Sequence, residues 1–185
     1  PIPETVTENY MIINKKYNSS HYIVRKNYFH HNRARGILLQ CSSGLIEDNQ
    51  FDTTQGAAIY VMMETLKGLW YEGAGVYGLM IRNNTFYNCN VNDWTSVIDI
   101  MAAIPAGDSN YPVFSNIFIE NNTFSEFPSG VIYVNKAKNV IIKNNTFFCN
   151  SSRIVNKPNR GYFYVNHSSD VSINNNIWEP SAYVL

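Results

Sequence analysis

Six times along the chain an aliphatic β-branched residue is followed by two polar residues, an asparagine, one further residue and an aromatic. The segments are Val24 to Phe29, Ile46 to Phe51, Ile81 to Phe86, Ile119 to Phe124, Ile142 to Phe147 and Ile173 to Trp178. Their asparagines, at 27, 49, 84, 122, 145 and 176, are spaced by 22, 35, 38, 23 and 31 residues, a short unit with insertions of varying length. After most of them comes a further apolar strand: Gly36 to Gln40, Ala57 to Val61, Val97 to Ile100, Val131 to Val134 and Tyr162 to Val165. No long stretch keeps a 3.6-residue apolar period, and β-branched and aromatic residues dominate, so strand is expected throughout. A unit of two or three short strands cannot bury its own apolar face, but copies stacked on one another can. The pattern therefore predicts an all-β parallel β-helix of about six coils. At a coil spacing of about 4.8 Å, it forms a rod on the order of 25 to 30 Å long.

The same pattern assigns places. Ile and Val point inward, and Phe29, Phe51, Phe86, Phe124, Phe147 and Trp178 stack coil on coil. Each repeated asparagine is expected to turn the chain at a corner in the left-handed conformation, with its amide bonded to the equivalent residue of the next coil. The sequons at Asn83, Asn121 and Asn144 then follow from the corner being succeeded by Thr, and need carry no glycan. A leucine-rich solenoid has a similar period, but Ile, Val and Phe fill the repeat here. An immunoglobulin-like sandwich would not hold an Asn-x-Phe register. Residues 1–21 read as an N-terminal extension or cap, and 22–185 as the β-helix, with long loops at 62–78 and 101–115.

Composition agrees with a solenoid. There are 26 Asn among 185 residues, and charged residues are only 15%, against roughly 25% in ordinary domains. Fourteen basic residues balance 14 acidic ones, so no electrostatic case exists for nucleic acid or an anionic membrane as partner, and a neutral partner fits better. No apolar run of membrane-spanning length and no leader pattern occur. Cys41, Cys89 and Cys149 lack metal-binding spacing and read as buried free thiols; neither a metal nor a cofactor is expected.

Insertions in solenoids map to loops on one face, often the binding face. The first long loop holds Glu64, Trp70, Tyr71 and Glu72, and the second holds Pro105, Gly107, Asp108 and Tyr111. Aromatic rings beside carboxylates suit a sugar, since rings cover the apolar face of a pyranose while carboxylates accept from its hydroxyls; loop aromatics that merely cover the flank are the alternative. His30, His31, Arg33 and Arg35 cluster before the next strand, and stacking is expected to align Arg33 and Arg35 with Asp52, Asp93 and Glu126. That face reads either as a binder of polyhydroxylated ligand or as a charge-paired outer wall, and the His pair as corner or surface residues. No nucleophile stands at motif spacing from a base.

The runs "NRARGILLQ" at 32–40, "GLIEDNQF" at 44–51, "GAAIYV" at 56–61 and "WYEGAGVYGLMIRNNTFYNC" at 70–89 together resemble the C-terminal half of glycoside hydrolase family 110, the bacterial α-1,3-galactosidases. The likeness covers roughly residues 22 to 90 and, more loosely, the rest. It implies a right-handed, single-stranded, pectate-lyase-like β-helix belonging to an inverting exo-enzyme that removes terminal α-galactose, in a secreted or periplasmic parent protein. The family's paired aspartates have no counterpart here. Catalytic carboxylates are thus expected upstream of Pro1, with Glu72, Glu64 and Asp93 as the weak candidates within the chain. Arg33, Arg35, Trp70, Tyr71 and Glu72 are the implied substrate-binding residues. The expected partners are a terminal galactose-containing glycan and the preceding coils of the parent, with self-association as a further possibility. The run Met62 to Gly68 and the stretch 75–78 depart from the family's pattern, which implies altered subsite chemistry. A non-catalytic glycan-binding or structural β-helix is the alternative reading. A polysaccharide lyase is a weaker one, because the strands are poor in the clustered acids that calcium would need.

Overall fold

The computed structural model describes Asn14, Lys16 and residues 18–65, 71–104, 111–128, 130–149 and 162–180. Six coils follow one another. The first contains β1 (Ser20–Arg25), β2 (Tyr28–Asn32) and β3 (Ile37–Leu39), and the second β4 (Ser42–Glu47), β5 (Gln50–Thr54) and β6 (Ile59–Thr65), with β7 (Tyr71–Glu72) on its excursion. The third has β8 (Tyr77–Arg82), β9 (Thr85–Tyr87) and β10 (Ile98–Ala103), and the fourth β11 (Phe114–Glu120), β12 (Thr123–Ser125) and β13 (Ile132–Asn135). The fifth has β14 (Ala137–Lys143), β15 (Thr146–Cys149) and β16 (Phe163–Asn166), and the sixth β17 (Ser169–Asn174) and β18 (Ile177–Pro180). Equivalent strands pair in parallel to form three sheets: β1-β4-β8-β11-β14-β17, then β2-β5-β9-β12-β15-β18, then β3-β6-β10-β13-β16. The molecule is a parallel β-helix, as the repeat predicts.

Its interior is built from rows. Ile46, Ile81, Ile119 and Ile142 face inward from the first sheet in one register and are fully buried. The rings of Phe29, Phe51, Phe86, Phe124, Phe147 and Trp178 stack with centroids 4.3 to 5.0 Å apart. The asparagines form a row of their own: Asn84 donates its backbone N–H and side-chain amide to Asn122 Oδ1, at 2.9 and 3.1 Å, while its own Oδ1 accepts the same pair from Asn49. From Asn49 onward each amide also reaches back to a carbonyl one coil earlier, as Asn122 does to Ile81.

The structure corrects one detail of the corner. The left-handed residue is not the row asparagine but the one before it: Lys26, Asp48, Asn83, Asn121, Asn144 and Asn175, with φ between 51° and 57°. The kink sits at the surface, so any residue that tolerates the left-handed conformation serves, whereas the next position must bury an amide that both donates and accepts. A second kink follows the first four aromatics at His31, Thr53, Asn88 and Glu126, which explains His31 as a corner residue.

Loop boundaries also shift. Strand β6 runs on to Thr65 and β10 to Ala103, so the two excursions begin later than Met62 and Met101. Both strands continue because Met62 to Glu64 and Met101 to Ala103 pair with one another. Cys89 is buried and free, with its thiol pushed up to about 11 by burial. Cys41 is only half-buried, against expectation. The side chain of Cys149 lies outside the described residues.

Candidate functional site

The three sheets present different outer faces. On the first, Glu47, Arg82, Glu120 and Lys143 share one row. Arg82 bonds Glu47 through Nε and Nη2 at 3.0 and 2.9 Å, and Lys143 meets Glu120 at 3.1 Å. This is a charge-paired wall. The third sheet differs. Alternation sends Ile59, Val61, Ile98 and Ile100 inward, and the register then sets Leu38, Tyr60, Asp99, Tyr133 and Tyr164 in one outward row. Tyr60 and Asp99 are nonetheless only 9% and 4% exposed.

At one end of this face stands Arg35. The segment carrying it lies flat against the next coil: Gly36 N–H donates to Ala57 O at 3.0 Å and Gly56 N–H to Ala34 O at 2.6 Å. A Cβ on Gly36 would strike Ala58 O and the Phe51 ring, and one on Gly56 would strike Ala34 O. Only glycine allows that approach. Arg35 then places its Cζ 5.7 Å from the centre of the Tyr60 ring, within cation–π range. Burial, and next the charge of Asp99, push the Tyr60 phenol up to about 12, with Arg35 opposing.

Two glutamates face one another where β7 returns antiparallel to β6, with Glu64 directly opposite Glu72. Gly73, at φ +78°, ends the return where a Cβ would meet Met62 O. Opposed residues share a face with Cα atoms about 4.5 to 5.5 Å apart, and like charges there work against pairing by up to about 1 kcal/mol. A carboxylate pair kept in that place is a candidate for ligand contact. Gln40 Nε2 lies 3.4 Å from Glu72 Oε2, tying the first coil to the hairpin.

A cleft of about 290 Å³ opens over the outward row, lined by Tyr60, Asp99, Tyr133, Tyr164, Met101 and the loop residues Trp94 to Ser96. Tyr133 and Tyr164 stack at 5.2 Å with a 20° interplanar angle. Trp94 is 66% exposed. Its loop is clamped by the buried Asn90, whose amide donates to Thr95 O at 2.8 Å and whose Oδ1 accepts from Thr95 N and Oγ1.

The expected residues therefore divide. Arg35, Glu64 and Glu72 gather on the third sheet's outer side. Arg33 is exposed on the same segment as Arg35. Trp70 and the side chain of Tyr71 lie outside the described residues, as do Pro105, Gly107 and Asp108. Asp93 sits at a left-handed turn, with its N–H bonded to Asn90 O. Asp52 does not join Arg35: it accepts from Tyr28 Oη at 2.6 Å and Thr53 Oγ1 at 2.7 Å, and these bonds, Tyr28's first, hold its carboxyl below its usual value. Glu126 is buried at the second kink. Asp52, Asp93 and Glu126 thus lie on a strand, in a loop and at a kink, and share no strand row with Arg35. Stacking aligns strands in register, and the kinks and loops between them differ in length.

Trp94, Asp99, Tyr133 and Tyr164 are absent from the sequence-based candidates, although a signal existed. Asp99 lies between Ile98 and Ile100, and Tyr133 between Ile132 and Val134. A lone polar or aromatic residue between two inward aliphatics on a strand must face out.

No family model matches the chain. It is 31% identical over 150 residues to alpha-1,3-galactosidase B of Bacteroides thetaiotaomicron, covering 79% of this chain and 24% of that protein. To alpha-1,3-galactosidase A of Bacteroides fragilis it is 32% identical over 146 residues, covering 77% and 24% respectively. An alpha-1,3-galactosidase B of Akkermansia muciniphila is 28% identical over 195 residues, 100% of this chain and 23% of its own length. The chain thus spans about a quarter of the length of the curated relatives it matches.

Proposed function

From the premise that the chain is related to the glycoside hydrolase family 110 α-1,3-galactosidases, we propose that it forms the substrate-binding coils of a larger inverting exo-α-galactosidase. The observation that carries this reading is the third sheet's outer side. There a guanidinium, two opposed carboxylates and a row of aromatic rings lie together, while the first sheet's outer row pairs its charges internally. Cations and carboxylates take the hydroxyls of a sugar, and rings take its C–H face.

Arg35, Glu72 and Glu64 hold the terminal galactose, with Arg33 on the same segment as Arg35; Trp70 and the Tyr71 side chain, the remaining sequence candidates, lie outside the described residues. Hydrolysis with inversion needs an acid and a base about 6.5 to 9.5 Å apart, with water between them. In this reading Glu64 and Glu72, directly opposed on neighbouring strands, grip one sugar from one side rather than flank it. The acid and base therefore come from elsewhere in the parent protein. An aryl α-galactoside incubated with the parent and with this chain tests the division of labour. The parent turns it over and releases β-galactose first, as followed by NMR, while the 185-residue chain leaves it intact. Turnover by the chain alone, lost in Glu72→Gln, contradicts the assignment.

A further inference from the structure

We infer that the cleft over Tyr60, Asp99, Tyr133 and Tyr164 is a second sugar-binding position, adjoining the Arg35–Glu72 wall at Tyr60, that takes one neutral pyranose ring and rejects acidic sugars. This deepens the proposed function and rests on it for the choice of sugar.

Size is the first argument. At about 290 Å³ the cleft lies at the lower end of small-molecule sites, which suits a single ring rather than an oligosaccharide. Its chemistry is the second. Tyr133 and Tyr164 form a stepped aromatic surface along two coils, and Trp94 adds a largely exposed indole. An exposed indole meets the apolar face of a pyranose, and the polar edge of the sugar then needs an acceptor. Asp99 lines the cleft and supplies it: at 4% exposure it is among the few carboxylates deeply buried among the described residues. Its charge discriminates, since a uronate carboxylate brought beside Asp99 in a poorly hydrated cleft meets a like charge.

Preorganisation is the third argument. Asp99 Oδ2 accepts the N–H of buried Ser96 at 3.1 Å, fixing the carboxylate to the loop that carries Trp94. Asn90 fixes the same loop from the other side through Thr95. Asn90 in turn takes backbone and side-chain bonds from the coil before, donating its N–H to Gly56 O at 3.1 Å and to Thr54 Oγ1 at 3.3 Å. A loop that only covered the flank would not need its backbone tied to a buried carboxylate two residues after its exposed indole. Holding both before a ligand arrives lowers the cost of binding.

The test uses the 185-residue chain with methyl α-D-galactopyranoside and, separately, galacturonic acid. Saturation-transfer NMR and calorimetric titration read binding, and thermal denaturation confirms that each variant is folded. The galactoside is expected to bind, with Trp94→Ala and Asp99→Asn each weakening it about tenfold or more, and galacturonic acid at least about tenfold weaker. Tyr77→Ala, an exposed tyrosine on the first sheet, leaves binding unchanged. Should Asp99→Asn fail to fold, Trp94→Ala carries the test, because its ring lies outside the core. The inference is overturned if no neutral glycoside binds, if both variants bind like the parent chain, or if galacturonic acid binds as well as the galactoside. Binding with the expected losses, in a parent protein that cleaves no α-galactoside, upholds the cleft and removes the galactosidase reading. Cleavage without such losses does the reverse.

Discussion

The inward rows and the outward row of the third sheet are made by the same strands, yet they obey opposite rules. Inside, one residue type repeats: five phenylalanines and a tryptophan, six asparagines, and successive isoleucines on the first sheet. Outside, on the third sheet, the row reads Leu38, Tyr60, Asp99, Tyr133, Tyr164. Stacking asks each coil to match its neighbour, because a buried ring or amide finds its partner one coil away. A ligand makes no such request and needs different groups at different heights. Repetition along a solenoid therefore marks the parts that hold it together, and a break in repetition on an ordered strand marks a place where something else is recognised.

The largest losses are expected in the buried rows. Phe86→Ala removes a fully buried ring between two others and is expected to cost about 3 to 5 kcal/mol in urea denaturation. A loss near zero would mean that the row is not the core. Asn84→Ala strands buried groups on the coils before and after, at a cost of about 1 to 3 kcal/mol. Its neighbour Asn83→Gly should be neutral or slightly stabilising, within about 1 kcal/mol, because the left-handed kink accepts glycine freely. An equal loss at both asparagines would erase the distinction between row and kink. Smallest of all, Trp94→Ala should shift stability by less than about 0.5 kcal/mol while weakening sugar binding about tenfold or more.

Alkaline titration sharpens the same contrast. The Tyr60 phenol is raised to about 12 in the folded chain, against about 10 for an unfolded tyrosine. Its contribution to stability is complete below pH 10 and is lost as the pH rises towards 12. Tyr60→Phe should flatten that limb in a denaturation series taken at rising pH, and an unchanged limb would place the loss in other groups.

The sequence made the interior readable because it repeats: strand positions, the aromatic stack and the bonded asparagines all follow from a six-residue motif. The corner lies one residue before the motif asparagine, and Asn-Asn pairs at 83–84, 121–122 and 144–145 hide which member turns and which is buried. The site was less legible. Arg35 and Glu72 lie in runs that resemble a known family, but Glu64 meets Glu72 only through an antiparallel return with no repeat to announce it. Asp99, Tyr133 and Tyr164 come from three different coils separated by unequal insertions, so nothing short of the register brings them to one row.

The central claim is that sugar is held on the outer side of the third sheet. A crystal structure of the parent protein with galactose bound tests it most directly. The account predicts galactose against that side, with hydroxyls bonded to Arg35, Glu72 or Asp99. Galactose seated on the outer face of the first or second sheet would contradict it.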